Sequence, residues 1–228
     1  SKSSYYVFHN VDAKAYYEYD CKMLFLQTRP SSPNILKQKI NIPHECFNPY
    51  TLLLKFPDVN CLYMNWATDL LPHEINESDI HTYLKNPYFI WIGTFGDSTG
   101  EFQTDTNLMP YVNECRKNNI ETKMINPWST PVSFEENRLL VRDAFLAPAI
   151  QGVWQVNNAY TPCRIFKNIS YGNIGITNNP YVNELFENML VYDNDPIQLF
   201  YKSIAARDSA YLDTEKHKYL MNEVRTKH

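Results

Sequence analysis

Tyr88-Phe89-Ile90-Trp91-Ile92 runs into Gly93-Thr94-Phe95-Gly96-Asp97-Ser98-Thr99-Gly100, and this junction decides how the chain is read. Five consecutive apolar residues between Pro87 and Gly93 are short and aromatic enough for a buried strand. The turn after them holds three of the six glycines in the whole sequence. Glycine permits positive φ and close backbone approach to a ligand, so scarce glycine concentrated here marks a ligand-facing turn. Asn107–Asn118 then sets Leu108, Tyr111, Val112 and Cys115 at helical spacing, and Glu121–Ile125 returns to a strand pattern.

The alternation continues toward the C-terminus. Glu121–Ile125 ends at Asn126-Pro127-Trp128, and Ser133-Phe134-Glu135-Glu136 opens a helix through Phe145 close to capping-box form. Gly152–Val156 is expected as a strand and Arg164–Tyr171 as a helix stopped by Gly172. Ile174–Thr177 and Leu190–Tyr192 read as strands around a helix at Pro180–Met189, and two charged, Tyr-rich helices follow. On the other side, Tyr5–His9, Met23–Gln27 and Cys61–Trp66 read as strands, with a short helix at Ile35–Lys39. Asn76-Glu77-Ser78-Asp79 offers caps for a helix to Lys85, stopped at Asn86-Pro87. The predicted fold is α/β: a Rossmann-like parallel sheet with helices on both faces over about residues 87–195. A short N-terminal α/β unit, 1–72, precedes the larger domain, 73–228.

Composition narrows the function classes. With 21 Lys and Arg against 25 Asp and Glu, the formal charge is −4, and no basic cluster concentrates attraction for nucleic acid. Hydrophobic residues at 44% exclude wholesale disorder. No apolar run approaches the roughly 18–20 residues of a membrane helix. Cys21, Cys46, Cys61, Cys115 and Cys163 are odd in number, scattered and without a CxxC pair, which argues against a disulfide framework or zinc site. Reduced thiols suit a cytoplasmic location. No charged segment leads into an apolar run as in a signal peptide, and with Ser1 at its start the chain is expected to be part of something longer.

In open parallel sheets ligands bind beyond the carboxyl ends of the strands, so the residues there are the candidates. Gly93 and Thr94 begin a loop able to present N–H and O–H donors to an anion. Trp128 follows the next strand, where it stacks on a base or sugar or packs on a neighbouring helix. Arg164 and Lys167 share one face at the start of a helix, where cations are unfavourable unless an anion compensates. That anion is a bound phosphate or a carboxylate from a neighbouring element. Asn178 and Asn179 precede the next helix and supply amide donors for a second wall.

Arg164-Ile165-Phe166-Lys167-Asn168-Ile169-Ser170-Tyr171-Gly172-Asn173-Ile174-Gly175-Ile176-Thr177-Asn178 resembles the Arg-x-Phe-Glu, small residue, Gly, strand, Thr-Asn segment of GT-B glycosyltransferases. The nearest likeness is to the C-terminal, donor-binding half of their spore-maturation-type, glycosyltransferase family 1-like branch. Trp66-Ala67-Thr68-Asp69, Trp91-Ile92-Gly93-Thr94 and Asn183-Glu184-Leu185-Phe186 fall in the matching order, so the resemblance covers about residues 60–228. It implies transfer of a hexose or deoxyhexose from a nucleoside-diphosphate sugar to a glycan or other hydroxyl acceptor. Gly93, Thr94 and Arg164 would then meet the diphosphate, with Asn178 and Asn179 on the sugar-phosphate side. The family's ribose-binding Glu falls at Lys167 and a second Glu at Ala159, so Lys167 is read as a phosphate contact. Inverting members take a base from the N-terminal domain, here His9 with Asp12, or the more remote His44.

No metal or other cofactor is expected, because Arg164, Lys167 and the helix ends stabilise the leaving diphosphate. The alternative is a non-catalytic nucleotide- or glycan-binding module of a larger multidomain protein. On the enzymatic expectation, His9→Ala abolishes turnover while sparing donor binding. Wild-type rates in that variant remove His9 from the role of base.

Overall fold

A computed structural model describes residues 23–26, 60–63, 67–80, 87–94, 104–157, 160–210 and 214–227. The chain divides into two compact units, one of residues 1–65 with 157–160 and one of residues 66–156 with 161–228. In the first, β1 (Met23–Leu26) pairs in parallel with β2 (Asn60–Tyr63), Met23 opposite Asn60 and Leu26 opposite Tyr63. The expected elements at Tyr5–His9 and Ile35–Lys39 lie outside the described residues.

The second unit begins with Trp66, so Thr68 and Asp69 belong with it although the sequence sets the boundary at 72/73. Its first βα unit forms as the spacing predicts: β3 (Tyr88–Ile92), α1 (Thr104–Lys117) and β4 (Glu121–Ile125). The two strands are parallel and in full register, Tyr88 opposite Glu121 and Ile92 opposite Ile125. α2 (Phe134–Arg142) follows, its N-cap Ser133 accepting a hydrogen bond from the Glu136 N–H. After the short α3 (Val153–Asn157) come α4 (Cys163–Ser170), β5 (Ile176–Thr177), α5 (Pro180–Leu185), β6 (Val191–Tyr192), α6 (Pro196–Ala210) and α7 (Thr214–Lys227). The result is a mixed α/β structure with short parallel strand pairs and seven α-helices among the described residues.

Residues 145–149 join the pairs. Leu146 O accepts from the Ile90 N–H at 2.9 Å, and Ala149 N–H donates to Ile176 O at 2.8 Å. These parallel bridges set the spatial order β4, β3, residues 145–149, β5, β6. Side chains alternate across a strand, and β3 shows the consequence. Tyr88 and Ile90 enter a core with Val141 of α2, Ile165, Phe166 and Ile169 of α4, Val182 of α5 and Leu220 and Val224 of α7. Phe89 and Trp91 enter a second core with Leu108, Tyr111 and Val112 of α1 and Leu199 and Phe200 of α6. At about 1.5–3 kcal/mol per fully buried large side chain, β3 is held by both layers of helices.

Three expected elements differ. Gly152–Val156 is helical from Val153, not a strand, because Gln155 Oε1 accepts from the Gly152 N–H as a capping side chain does. The strand position belongs instead to residues 145–149, where Pro148 has no N–H for a longer ladder. From Asn76 there is one 3₁₀ turn, Glu77–Asp79, which ends at the extended Ile80, and the rest of the expected helix, to Lys85, lies outside the described residues. The helix from Pro180 stops at Leu185, because Glu187 and Asn188 take positive φ of 55° and 61°.

Residues 67–80 are pinned across the helices. Asp79 pairs with Arg138 at 2.8 Å and with Arg142 at 3.7 Å, and Arg225 donates to Ile75 O at 2.7 Å. Gly172, which ends α4 at φ +93°, lies so close to Asp79 that a Cβ there would overlap its carbonyl oxygen. Gly172→Ala is therefore expected to cost about 1–3 kcal/mol, read as a lower urea midpoint at unchanged slope. An unshifted midpoint would show that the turn and residue 79 move apart freely.

Candidate functional site

A cleft of about 230 Å³ opens at the carboxyl end of β3, between α2 and α4. Its floor is apolar, from Ile90, Ile92, Val141 and Ala147, and its polar wall comes from Asn137 and from Cys163, Arg164, Lys167 and Asn168 of α4. The chain leaves β3 for β4 on one side, while residues 145–149 lie on its other side. A crevice at such a reversal of strand order is where open parallel sheets accept ligands.

The side chain of Arg164 reaches back across the end of β3. Its Nη2 donates to Ile92 O at 2.8 Å, and its guanidinium carbon lies 3.7 Å from the centroid of the Trp91 ring. Stacking on an indole face is worth about 0.5–2 kcal/mol and leaves the cation its full charge. Gly93 makes this approach possible: it adopts φ +154°, and a Cβ there would overlap Arg164 Nη2. The Gly93 N–H is directed away from a ligand, donating to Ile125 O at 2.9 Å. Thr94 is exposed.

Lys167 departs from the phosphate contact expected of it. Its Nζ lies 2.6 Å from Asp69 Oδ2, and Tyr171 donates to Asp69 Oδ1 at 2.6 Å. Thr68 Oγ1 and Ser170 Oγ share a further hydrogen bond at 2.6 Å. Of the two compensating anions open to Lys167 at the sequence level, the structure supplies the carboxylate. Burial, reinforced by the Asp69 carboxylate, pushes the Tyr171 phenol far above its ordinary value, so it remains a neutral donor. Asp69→Ala removes the acceptor of a buried hydroxyl and the partner of a half-buried ammonium, an expected loss of about 1–3 kcal/mol. Tyr171→Phe should add little in that background, because both substitutions break one shared interaction. Additive losses in a double-mutant cycle would show that the two act separately.

The amides of Asn178 and Asn179, expected as a second wall for the anion, face Gln151. Asn178 Oδ1 accepts from the Gln151 N–H at 2.8 Å and its Nδ2 donates to Gln151 O at 2.9 Å. Asn107 Nδ2 donates to the same carbonyl at 2.7 Å, and Asn179 Nδ2 donates to Gln151 Oε1 at 2.8 Å. Asn179 Oδ1 also caps α5 through the Tyr181 N–H. Trp128 is 86% exposed, on the turn that follows β4 and beside Pro127 of the cleft lining, so it does not pack on a helix. His9, Asp12 and His44 lie outside the described residues, as does Ala159.

Three residues that sequence reasoning passed over matter here: Asp69, Tyr171 and Gln151. Each acts through a contact more than twenty residues distant in sequence, a signal no local spacing carries. The sequence also contains Asp193-Asn194-Asp195, an acidic pattern with metal-binding connotations. Asp193 pairs with Lys202 at 2.8 Å, a contact that holds its carboxyl below the usual range, and Asp195 Oδ1 caps α6 through the Ile197 N–H. Among the described residues no group of three or more His, Cys, Asp and Glu side chains is arranged to hold a metal, and no helix is long and apolar enough to cross a membrane.

A second, wider groove of about 420 Å³ lies at the opposite end of β3, beside Tyr88. Its lining includes Glu135, Glu136 and Asp143 and, among the described residues, no basic side chain, so it disfavours anions. The cleft carrying Arg164 is the better candidate for a phosphorylated ligand. Comparison of the chain with family models, with curated proteins and with solved structures gave no match.

Proposed function

We propose that this chain is a metal-independent glycosyltransferase of Rossmann-like, GT-B type, in which residues 66–228 bind a nucleoside-diphosphate sugar. One observation carries the reading: Arg164 lays a guanidinium across the carboxyl end of β3, against a glycine turn and beside a cleft at the reversal of strand order. Guanidinium geometry suits bidentate phosphate contact. Trp128, exposed on the turn after β4, would stack on the base or sugar. His9, with Asp12 beside it in sequence, is the assigned base toward a glycan or other hydroxyl acceptor.

The second reading, a nucleotide- or glycan-binding module without catalysis, draws on the Lys167–Asp69 pair and the Gln151 network. Both occupy polar groups that the transferase reading would turn toward the donor. Donor turnover separates the two, since a module binds without releasing free nucleoside diphosphate.

Thermal unfolding in the presence of UDP, GDP, dTDP, CMP and their sugars, with and without EDTA, tests the proposal directly. A ligand at 100 times its Kd stabilises by about 2.7 kcal/mol, a measurable shift. A shift confined to one nucleotide and insensitive to EDTA supports the donor site and identifies its base. Arg164→Ala should weaken that nucleotide by about 1.5–3 kcal/mol in calorimetry, and unchanged affinity would remove Arg164 from the site.

A further inference from the structure

β4 lies at the edge of its sheet, because after α2 the chain returns to the other side of β3 and adds no strand beyond β4. The Gly93 N–H reaches Ile125 O, so Ile125 turns its backbone groups toward β3, and by the alternation along a strand Glu121 and Lys123 do the same. Thr122 and Met124 therefore direct N–H and C=O away from β3, where no strand meets them among the described residues. A free edge is a template for pairing with another chain, and folds blunt it with proline, bulges or charge. β4 has no proline and pairs with β3 without a bulge, which leaves charge. Its two charges are opposite in sign. Glu121 and Lys123 stand on the same face of the strand as Ile125, which packs on the core shared with α2, while Met124 turns to the core shared with α1. Their side chains are 63% and 36% exposed, and within one chain they approach no closer than 3.9 Å, the outer limit of an ion pair.

We propose that β4 is the interface of a homodimer, in which two copies of this chain pair antiparallel about Thr122. In that register Thr122 stands opposite itself, and the two outward-facing residues exchange both backbone hydrogen bonds. Glu121 of each copy then stands opposite Lys123 of the other, on one face of the joined sheet, where opposite charges directly across a pair are favourable. The arrangement closes under a two-fold axis, so one patch serves both copies. Neighbouring registers lose the match. Centred on Lys123, two ammonium groups oppose each other, and centred on Met124, Glu121 meets Pro127. An edge guarded only against pairing would carry charge of one sign. The inference does not depend on what the cleft binds.

Sedimentation velocity of the full chain over a concentration series tests the proposal, with Glu121→Lys and Lys123→Glu as variants. The full chain should sediment as a dimer that dissociates on dilution. Each reversal sets like charges opposite each other twice across the axis and should weaken the dimer about tenfold. Mixing the two variants should restore it, because a strand with two cations then faces one with two carboxylates. The doubly exchanged chain, Glu121→Lys with Lys123→Glu, keeps the match and should dimerise as the parent does. Thr122→Pro, placed where the N–H faces outward, removes a backbone bond of the interface and stands in for a reversal that does not fold. A chain monomeric at every concentration overturns the proposal. So does a dimer indifferent to both reversals, whose interface lies elsewhere, and so does one lost in each variant but not regained on mixing, which rules out this register.

Discussion

The pairing of residues 145–149 on both of their edges is the constraint on which the second unit depends. Without the Ile90 N–H···O Leu146 and Ala149 N–H···O Ile176 bonds, β3–β4 and β5–β6 are separate two-stranded ribbons. Such ribbons are marginal in water. The segment is short and contains Pro148, so packing must hold what the ladder does not. Ala144, Leu146 and Ala149 are fully buried, and Asn173 binds the carbonyls of Val141 and Ala144, both at 2.8 Å. Asn168 adds a bond to Ala147 O at 2.5 Å. Two buried amides from the α4 region thus serve as the missing strand neighbours, each worth about 1–3 kcal/mol because the carbonyl it meets has no access to water.

The same segment sets the chemistry. Where it ends, Gln151 receives Asn107 from α1 and Asn178 and Asn179 from the end of β5, so two elements converge on one residue. Where it begins, α2 and α4 are brought to opposite sides of the cleft. The two cations of α4 are then treated differently. Lys167 is neutralised by Asp69, a partner from outside the helix, and the pair anchors residues 67–70. Arg164 is held by a ring face and a carbonyl at the end of β3.

The sequence made the βα unit at residues 88–125 legible because its patterns are clean: an unbroken apolar run in β3, a period of 3.6 in α1, with glycine between. It made Arg164 legible because a cation in the first turn of a helix demands a reason. It hid the third parallel segment, since Leu146-Ala147-Pro148-Ala149-Ile150 has no β-branched residue before Ile150 and carries a proline, and the eye passes to Val153-Trp154-Gln155-Val156. There a single side chain, Gln155, caps the backbone and decides for helix. Asn178 and Asn179 were placed correctly at a strand end, but the direction of an amide depends on what faces it. Gln151, twenty-seven residues earlier, was invisible to spacing.

Arg164 and Trp91 illustrate why a side chain's partner matters more than its presence. Stacking on Trp91 fixes the orientation of Arg164, so a ligand anion would not have to order a mobile side chain on arrival. It also buries the indole N–H without an acceptor among the described residues, a cost that a phenylalanine there would avoid.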